Sequence, residues 1–145
     1  MSDIDKKILN FIKNHHVFTL ATSFDNKPYC STMFYVFLEK EQMFVFTSDN
    51  DTKHIEDILK NKNVAGAIAL ETSVIGKIQG VQFTGTIKKC DGDFFDYAKK
   101  IYLKRFPVAV FAKLTLWGIK VDFIKLTDNR LGFGKKLVWE KIAIN

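Results

Sequence analysis

A chain of 145 residues has the length of one domain, and it can bury a core without disulfides or metal. Its 22 basic residues against 16 acidic ones give a formal charge of +6, enough to draw anions, but the lysines are scattered and form no polybasic block. No stretch approaches the roughly 20 apolar residues of a membrane span, the opening Met1-Ser2-Asp3-Ile4-Asp5 does not read as a signal peptide, and two cysteines and three histidines fall into no metal-ligand spacing.

The expectation is therefore a cytoplasmic protein, residues 1–145 as one domain, with reduced, structural cysteines at Cys30 and Cys90 and no metal centre. Ile4, Ile8, Phe11 and Ile12 recur at helical spacing behind Asp3 or Asp5, which predicts a short amphipathic helix over one open end of a barrel. Residues 17–22 read as a strand, Asp25-Asn26-Lys27-Pro28 as a turn, and 29–38 as one longer aromatic strand completing a hairpin. Met43 to Ser48 is the third strand, so an all-parallel fold is disfavoured.

A helical pattern follows over residues 53–60, then a buried strand over 64–70, whose Gly66 implies close approach of a neighbour or a flat ligand. The long strand from Lys77 to Cys90 carries Gly80 and Gly85 where a barrel strand bends. Asp91 opens a helix with an apolar stripe of Phe94, Phe95, Ala98, Ile101 and Tyr102, ended by Phe106-Pro107. Strands over 114–126 and 137–142, joined by a glycine-bearing connection, close the chain. The fold class is mainly β (α+β): a six- to seven-stranded antiparallel split β-barrel with short flanking helices.

The richest chemistry lies where the third strand meets the next helix. Thr47 and Ser48 present two hydroxyls, Thr52 is a good N-cap, and Lys53 and His54 open the helix. Free first-turn N–H groups, the positive end of the helix dipole and an ammonium group together favour a phosphate. An ordinary capped helix carries the same pattern, so the segment alone does not decide.

The order of helix, three strands, Thr47-Ser48 with Thr52-Lys53-His54, and then Gly80-Val81-Gln82-Phe83-Thr84-Gly85 resembles the pyridoxamine 5′-phosphate oxidase-like, FMN-binding split-barrel superfamily over nearly the whole chain. The run from Thr127 through Lys136, followed by Trp139, resembles the signature of a small bacterial branch of it. The resemblance implies a homodimer with FMN between the subunits. It implies that Ser31, Thr32, Met33 and Phe34 run beside the flavin ring and that Thr47, Ser48, Thr52, Lys53 and His54 hold the ribityl phosphate. Gln82 would reach the flavin edge, and Trp117 or Trp139 would flank the ring or pack in the dimer core.

The Arg and His arrangement by which pyridoxamine 5′-phosphate oxidases grip substrate is absent, since no histidine follows His54. Vitamin B6 oxidation is therefore not carried over, and no protein side chain is assigned a catalytic role, because the flavin does the redox chemistry. The resulting reading is an FMN-dependent oxidoreductase with a nicotinamide or other small redox substrate. A non-enzymatic flavin carrier or sensor is the alternative, ahead of a haem-binding or a nucleic-acid-binding barrel.

Overall fold

A computed structural model describes residues 3–142. Helix α1 (Lys6–Asn14) starts behind Asp5, whose carboxylate accepts from Lys7 N at 2.7 Å. Strands β1 (Val17–Phe24) and β2 (Lys27–Phe34) form a hairpin around Asp25 and Asn26. Both turn residues have positive φ, 53° and 59°, the conformation a two-residue hairpin turn requires and that Asp and Asn tolerate. The turn is thus tighter than the sequence suggests, and β2 resumes at Lys27.

The aromatic segment expected as one strand is two: β2 stops at Phe34 and β3 (Val36–Leu38) begins after Tyr35. Strands β4 (Met43–Thr47), β5 (Asn63–Ala69), β6 (Gln79–Lys89), β7 (Leu116–Asp128) and β8 (Lys136–Glu140) follow, with helix α2 (Lys53–Lys60) after β4 and helix α3 (Gly92–Arg105) after β6. All pair antiparallel in the order β2-β1-β5-β6-β7-β4-β3, and β8 shares the β4 edge of β7.

The two end strands of that order, β2 and β3, are neighbours in sequence, separated by Tyr35 alone. The sheet must therefore curl until its ends almost meet, which is the split barrel. Tyr35 is fully buried: its N–H donates to His16 O at 3.0 Å and its hydroxyl donates to Ile12 O at 2.5 Å. Its carbonyl accepts from Arg105 Nη1 at 2.9 Å.

Inside the curl, Phe18, Phe44, Phe46 and Phe83 pack with Tyr35, and the ring of Phe18 lies within 5.8 Å of all four of the others. Ile8 and Ile12 of α1 enter this core, and Ile55 and Ile58 of α2 do the same beyond the end of β4, so the two helices plug the barrel. A second cluster places α3, through Ala98 and Tyr102, on the outer sides of β3, β4 and the start of β7. At the Thr84/Gly85 register shift the unmatched residue is Asp122, so the bulge lies on β7, and opposite it a Cβ on Gly85 would lie 2.4 Å from the Lys120 carbonyl oxygen.

Gly66 makes room for a neighbour: a Cβ there would lie 2.2 Å from Cζ of the buried Phe83 ring. The alanine must displace a buried ring packed against Phe18 and Phe44, so Gly66→Ala is expected to destabilise the fold by about 1–3 kcal/mol in urea unfolding. An unchanged midpoint would mean that the ring is not confined.

Candidate functional site

Strand β4 ends at Thr47, paired with Leu116, and the chain turns at once into α2. Ser48 N–H donates to Thr115 O at 3.2 Å, which fixes the turn against the strand entering β7. Thr52 is the N-cap, its Oγ1 accepting from Ile55 N at 3.4 Å. His54 folds its ring back over this cap, so that Nε2 lies 2.6 Å from Ser48 Oγ and 3.2 Å from Thr52 Oγ1, while the two hydroxyls are 3.3 Å apart. Three hydrogen-bonding groups thus form a triangle at the positive end of α2.

Lys53 points the other way along the helix. Its ammonium pairs with Asp57 one turn on and lies 5.6 Å from the ring centroid of Tyr29 on β2. Asp57 is buried and also accepts from Thr22 Oγ1 at 3.0 Å. Asp57, Thr22 and Tyr29 were not among the residues expected from sequence, although the Lys53–Asp57 spacing of four on a helix was a readable signal. The hydrogen bond from Lys53 chiefly, with that from Thr22, holds the Asp57 carboxyl below the ordinary carboxylate range. Partial burial lowers the His54 pKa, opposed by the charge of Asp57.

Because β2 pairs only with β1, its far edge is open and faces the β4–α2 turn across a wedge whose apex is Tyr35. Ser31 stands on this wall with its Oγ buried and without a hydrogen-bond partner among the described residues. Met33 is partly buried against the core. Thr32 and Phe34, opposite Thr19 and Val17, lie on the outer face of the sheet, where Phe34 is 55 % exposed.

Gln82 is exposed on the same outer face, in the row Thr32, Thr19, Ala67, Gln82. Three strand spacings separate it from Thr32, about 14 Å, so within one chain it is remote from the wedge. Trp117 departs from the expectation of a ring-flanking residue: it shares the inward face of β7 with Ile119 and Val121, packs in the core and is 3 % exposed. Trp139 is also buried, opposite Ile124. Lys135 and Lys136 are exposed where β8 begins. Cys90 is buried, whereas Cys30 is exposed on the outer face of β2, opposite Ala21. Among the described residues no group of His, Cys, Asp or Glu could hold a metal ion, and no helix is long and apolar enough to cross a membrane.

Comparison with known proteins places this geometry among relatives. A family model described as pyridoxamine 5′-phosphate oxidase matches residues 4–127. A UPF0306 protein of Photorhabdus laumondii is 37% identical over 134 residues, covering 92% of this chain and 94% of the relative. A haem-binding protein from Mycobacterium smegmatis superposes with a TM-score of 0.76 at 16% identity, over 96% of this chain and only 60% of that longer one. An FAD-binding protein from Mesorhizobium loti superposes with a TM-score of 0.66 at 16% identity, over 85% of this chain and 94% of that one. At these identities the two structures bear on the fold alone.

His54 and Asp57 make helix α2 acid-sensitive. Folding that depresses the pKa of His54 and of Asp57 contributes stability that is present above their unfolded values and lost as pH falls through the folded ones. The His54 ring is expected to titrate by NMR below the ordinary imidazole value of about 6.5, and unfolding in acid is expected to shift in Asp57→Asn. A His54 midpoint at or above the ordinary value would contradict the packing described.

Proposed function

The chain belongs to the pyridoxamine 5′-phosphate oxidase family and to the UPF0306 proteins, and on that footing we propose that it is an FMN-binding oxidoreductase whose cofactor lies in the wedge between β2 and the start of α2. One observation carries the reading. The hydroxyl–imidazole triangle of Ser48, Thr52 and His54 sits at the N-terminus of α2, across from an open strand edge that carries a buried hydroxyl, Ser31 Oγ, without a partner among the described residues. Buried polar groups are seldom left unpaired, so Ser31 suits a ligand that supplies hydrogen-bonding atoms.

In this reading Ser48, Thr52 and His54, with Thr47 beside them, hold the phosphate. Lys53 adds charge by giving up part of its contact with Asp57. The edge of Ser31, Thr32, Met33 and Phe34 borders the ring. Bound flavin supplies hydride and electron transfer at its ring system. The protein positions it, and the triangle fixes which end of the cofactor enters the wedge. His54 stands where a permanent cation would bind phosphate more strongly, and its neutral ring can still donate one hydrogen bond.

A second copy of the chain completes the site. The outer face of β1, β5 and β6 is built from small residues, Thr19, Ala21, Ala65 and Ala67, which permit close approach of another sheet, with the apolar Val17 and Phe34 exposed at its margin. Docking of that face is how Gln82, remote from its own chain's wedge, would approach the partner's cofactor. The mass in sedimentation is then expected to be twice the 16.7 kDa of one chain.

The reading is tested by the absorption spectrum of the purified protein, mass identification of any released chromophore, and titration with FMN. Lys53→Ala and Ser48→Ala are each expected to weaken FMN by about tenfold to a hundredfold, the equivalent of one charge-assisted hydrogen bond of about 1.5–3 kcal/mol. A protein that takes up no FMN contradicts the assignment, and a Soret band from the purified protein would move it to haem. Reduction of the bound flavin by NADH or NADPH without oxygen supports an oxidoreductase. Flavin that no donor reduces leaves a carrier or sensor.

A further inference from the structure

At the end of the barrel opposite α2, a cleft of about 290 Å³ opens between α1 and the strand ends of β6 and β7. One wall is a single face of α1, where Lys7, Asn10 and Asn14 follow at helical spacing, continued by the capping residue His15. The other wall is built from Gln79, the first residue of β6, its register partner Asp128, the last of β7, and Arg130 just beyond. Phe11, Leu126 and Leu131 form the apolar part of the lining. Strand β7 begins at Leu116 beside Thr47 and ends at Asp128 in the cleft. That is roughly 40 Å of strand, so cleft and triangle lie at opposite ends of the barrel.

The buried Asp128 sets the charge of this cleft. Its Oδ1 accepts from the Arg130 backbone N–H at 3.0 Å and from Nε at 3.1 Å, and its Oδ2 accepts from Nη2 at 2.9 Å. The bonds from Arg130 chiefly, with the charge of Lys7 as a smaller contribution, hold the Asp128 carboxyl below the ordinary carboxylate range. Asp128 and Arg130 thus cancel in charge, while Nη1 of Arg130 keeps its two N–H donors without a partner among the described residues. Lys7 has no ion-pair partner among the described residues, and Asp5, which accepts from its backbone N–H, is not part of the lining. The lining therefore carries one excess positive charge and two groups able to donate to an anion. Beside them stand the amides of Asn10, Asn14 and Gln79. His15 donates from Nδ1 to Phe11 O at 2.7 Å, so its neutral ring offers Nε2 as an acceptor. Amides and an imidazole acceptor suit hydroxyl groups, and the apolar side chains suit the C–H faces of a carbon frame.

We propose that this cleft is a ligand site distinct from the flavin wedge and takes a small hydroxylated organic anion, with Lys7 and Nη1 of Arg130 on its carboxylate or phosphate group. The cleft is at the small end of ligand pockets, which run from about 300 to 1,000 Å³, and this restricts the compound to the size of a sugar acid or a polyol phosphate. A buried carboxylate holds the Arg130 guanidinium by two of its nitrogens, so its free edge is oriented before a ligand arrives. The site makes no use of flavin and stands whether or not the wedge holds FMN.

The test titrates D-gluconate, glycerol 3-phosphate and the uncharged sorbitol separately into the full chain, followed by NMR of the backbone amides. One or both anions are expected to saturate, with shifts centred on Lys7, Asn14, Gln79 and Arg130, and the tighter of the two tells carboxylate from phosphate. Sorbitol is expected to bind at least about tenfold more weakly. Lys7 is exposed, so Lys7→Gln is expected to fold, and it is expected to weaken the anion about tenfold, the equivalent of about 1.4 kcal/mol. FMN affinity in the same variant is expected to stay within about twofold, because the two sites are far apart. Saturation by neither anion overturns the proposal, as does sorbitol binding as tightly as the anions, or an anion indifferent to Lys7→Gln. A large loss of FMN affinity in Lys7→Gln overturns it too, since the cleft would then belong to the cofactor site. Failure of FMN to bind the unaltered protein contradicts the flavin reading alone, and the anion titrations then still decide the cleft.

Discussion

The contact on which the rest of this structure depends is the seam at Tyr35. A seven-strand order whose two ends are consecutive in the chain can exist only if the sheet curls, and one residue must make the change of direction. Tyr35 makes it with all its polar groups satisfied: N–H to His16, carbonyl to Arg105, hydroxyl to Ile12. Each of these bonds is buried or partly buried, where a missing partner costs more than in water. The same residue therefore anchors α1, ties in the end of α3 and sets the apex of the wedge. Burial pushes the phenol pKa well up, against the pull of the Arg105 charge, so the hydroxyl keeps its proton to donate.

From that apex the site follows by geometry. Strand β2 leaves its partner β1 on one side and an open edge on the other, and β4 diverges from it until α2 begins. The helix start brings hydroxyls and an imidazole to the mouth, where its dipole favours negative charge. Asp57 holds Lys53 beside that mouth and is itself braced by Thr22 from β1, so helix and sheet are joined through a buried carboxylate. The lysine is half-exposed and its contact is screened accordingly, which leaves it able to share its charge with an incoming anion.

Much of this was legible in the sequence, because alternation and helical periodicity are local properties. The strands, the three helices, the Thr52 cap and the clustering of Ser48, Thr52 and His54 all follow from spacing within a few residues. The break at Tyr35 does not. Tyrosine favours strands, and what takes the Tyr35 carbonyl out of the ladder is an arginine 70 positions later. Trp117 went astray for a related reason: a tryptophan in a strand gives no sign of its face until the register with Phe46 and Lys89 fixes the phase. Gln82 could be placed on β6 but not related to the wedge, since three intervening strands come from distant parts of the chain. Cys30, expected to be reduced and structural, lies on the outward phase of an edge strand.

The central claim is that the start of α2 recognises a phosphate and that the open edge of β2 borders the flavin ring attached to it. Calorimetric titration with FMN beside riboflavin, which differs only in lacking the phosphate, addresses that claim most directly. The account predicts that FMN binds and that riboflavin binds weaker by at least about a hundredfold, the equivalent of about 2.7 kcal/mol from the phosphate contacts. Equal affinity for the two would contradict it, because the triangle of Ser48, Thr52 and His54 would then be an ordinary helix start.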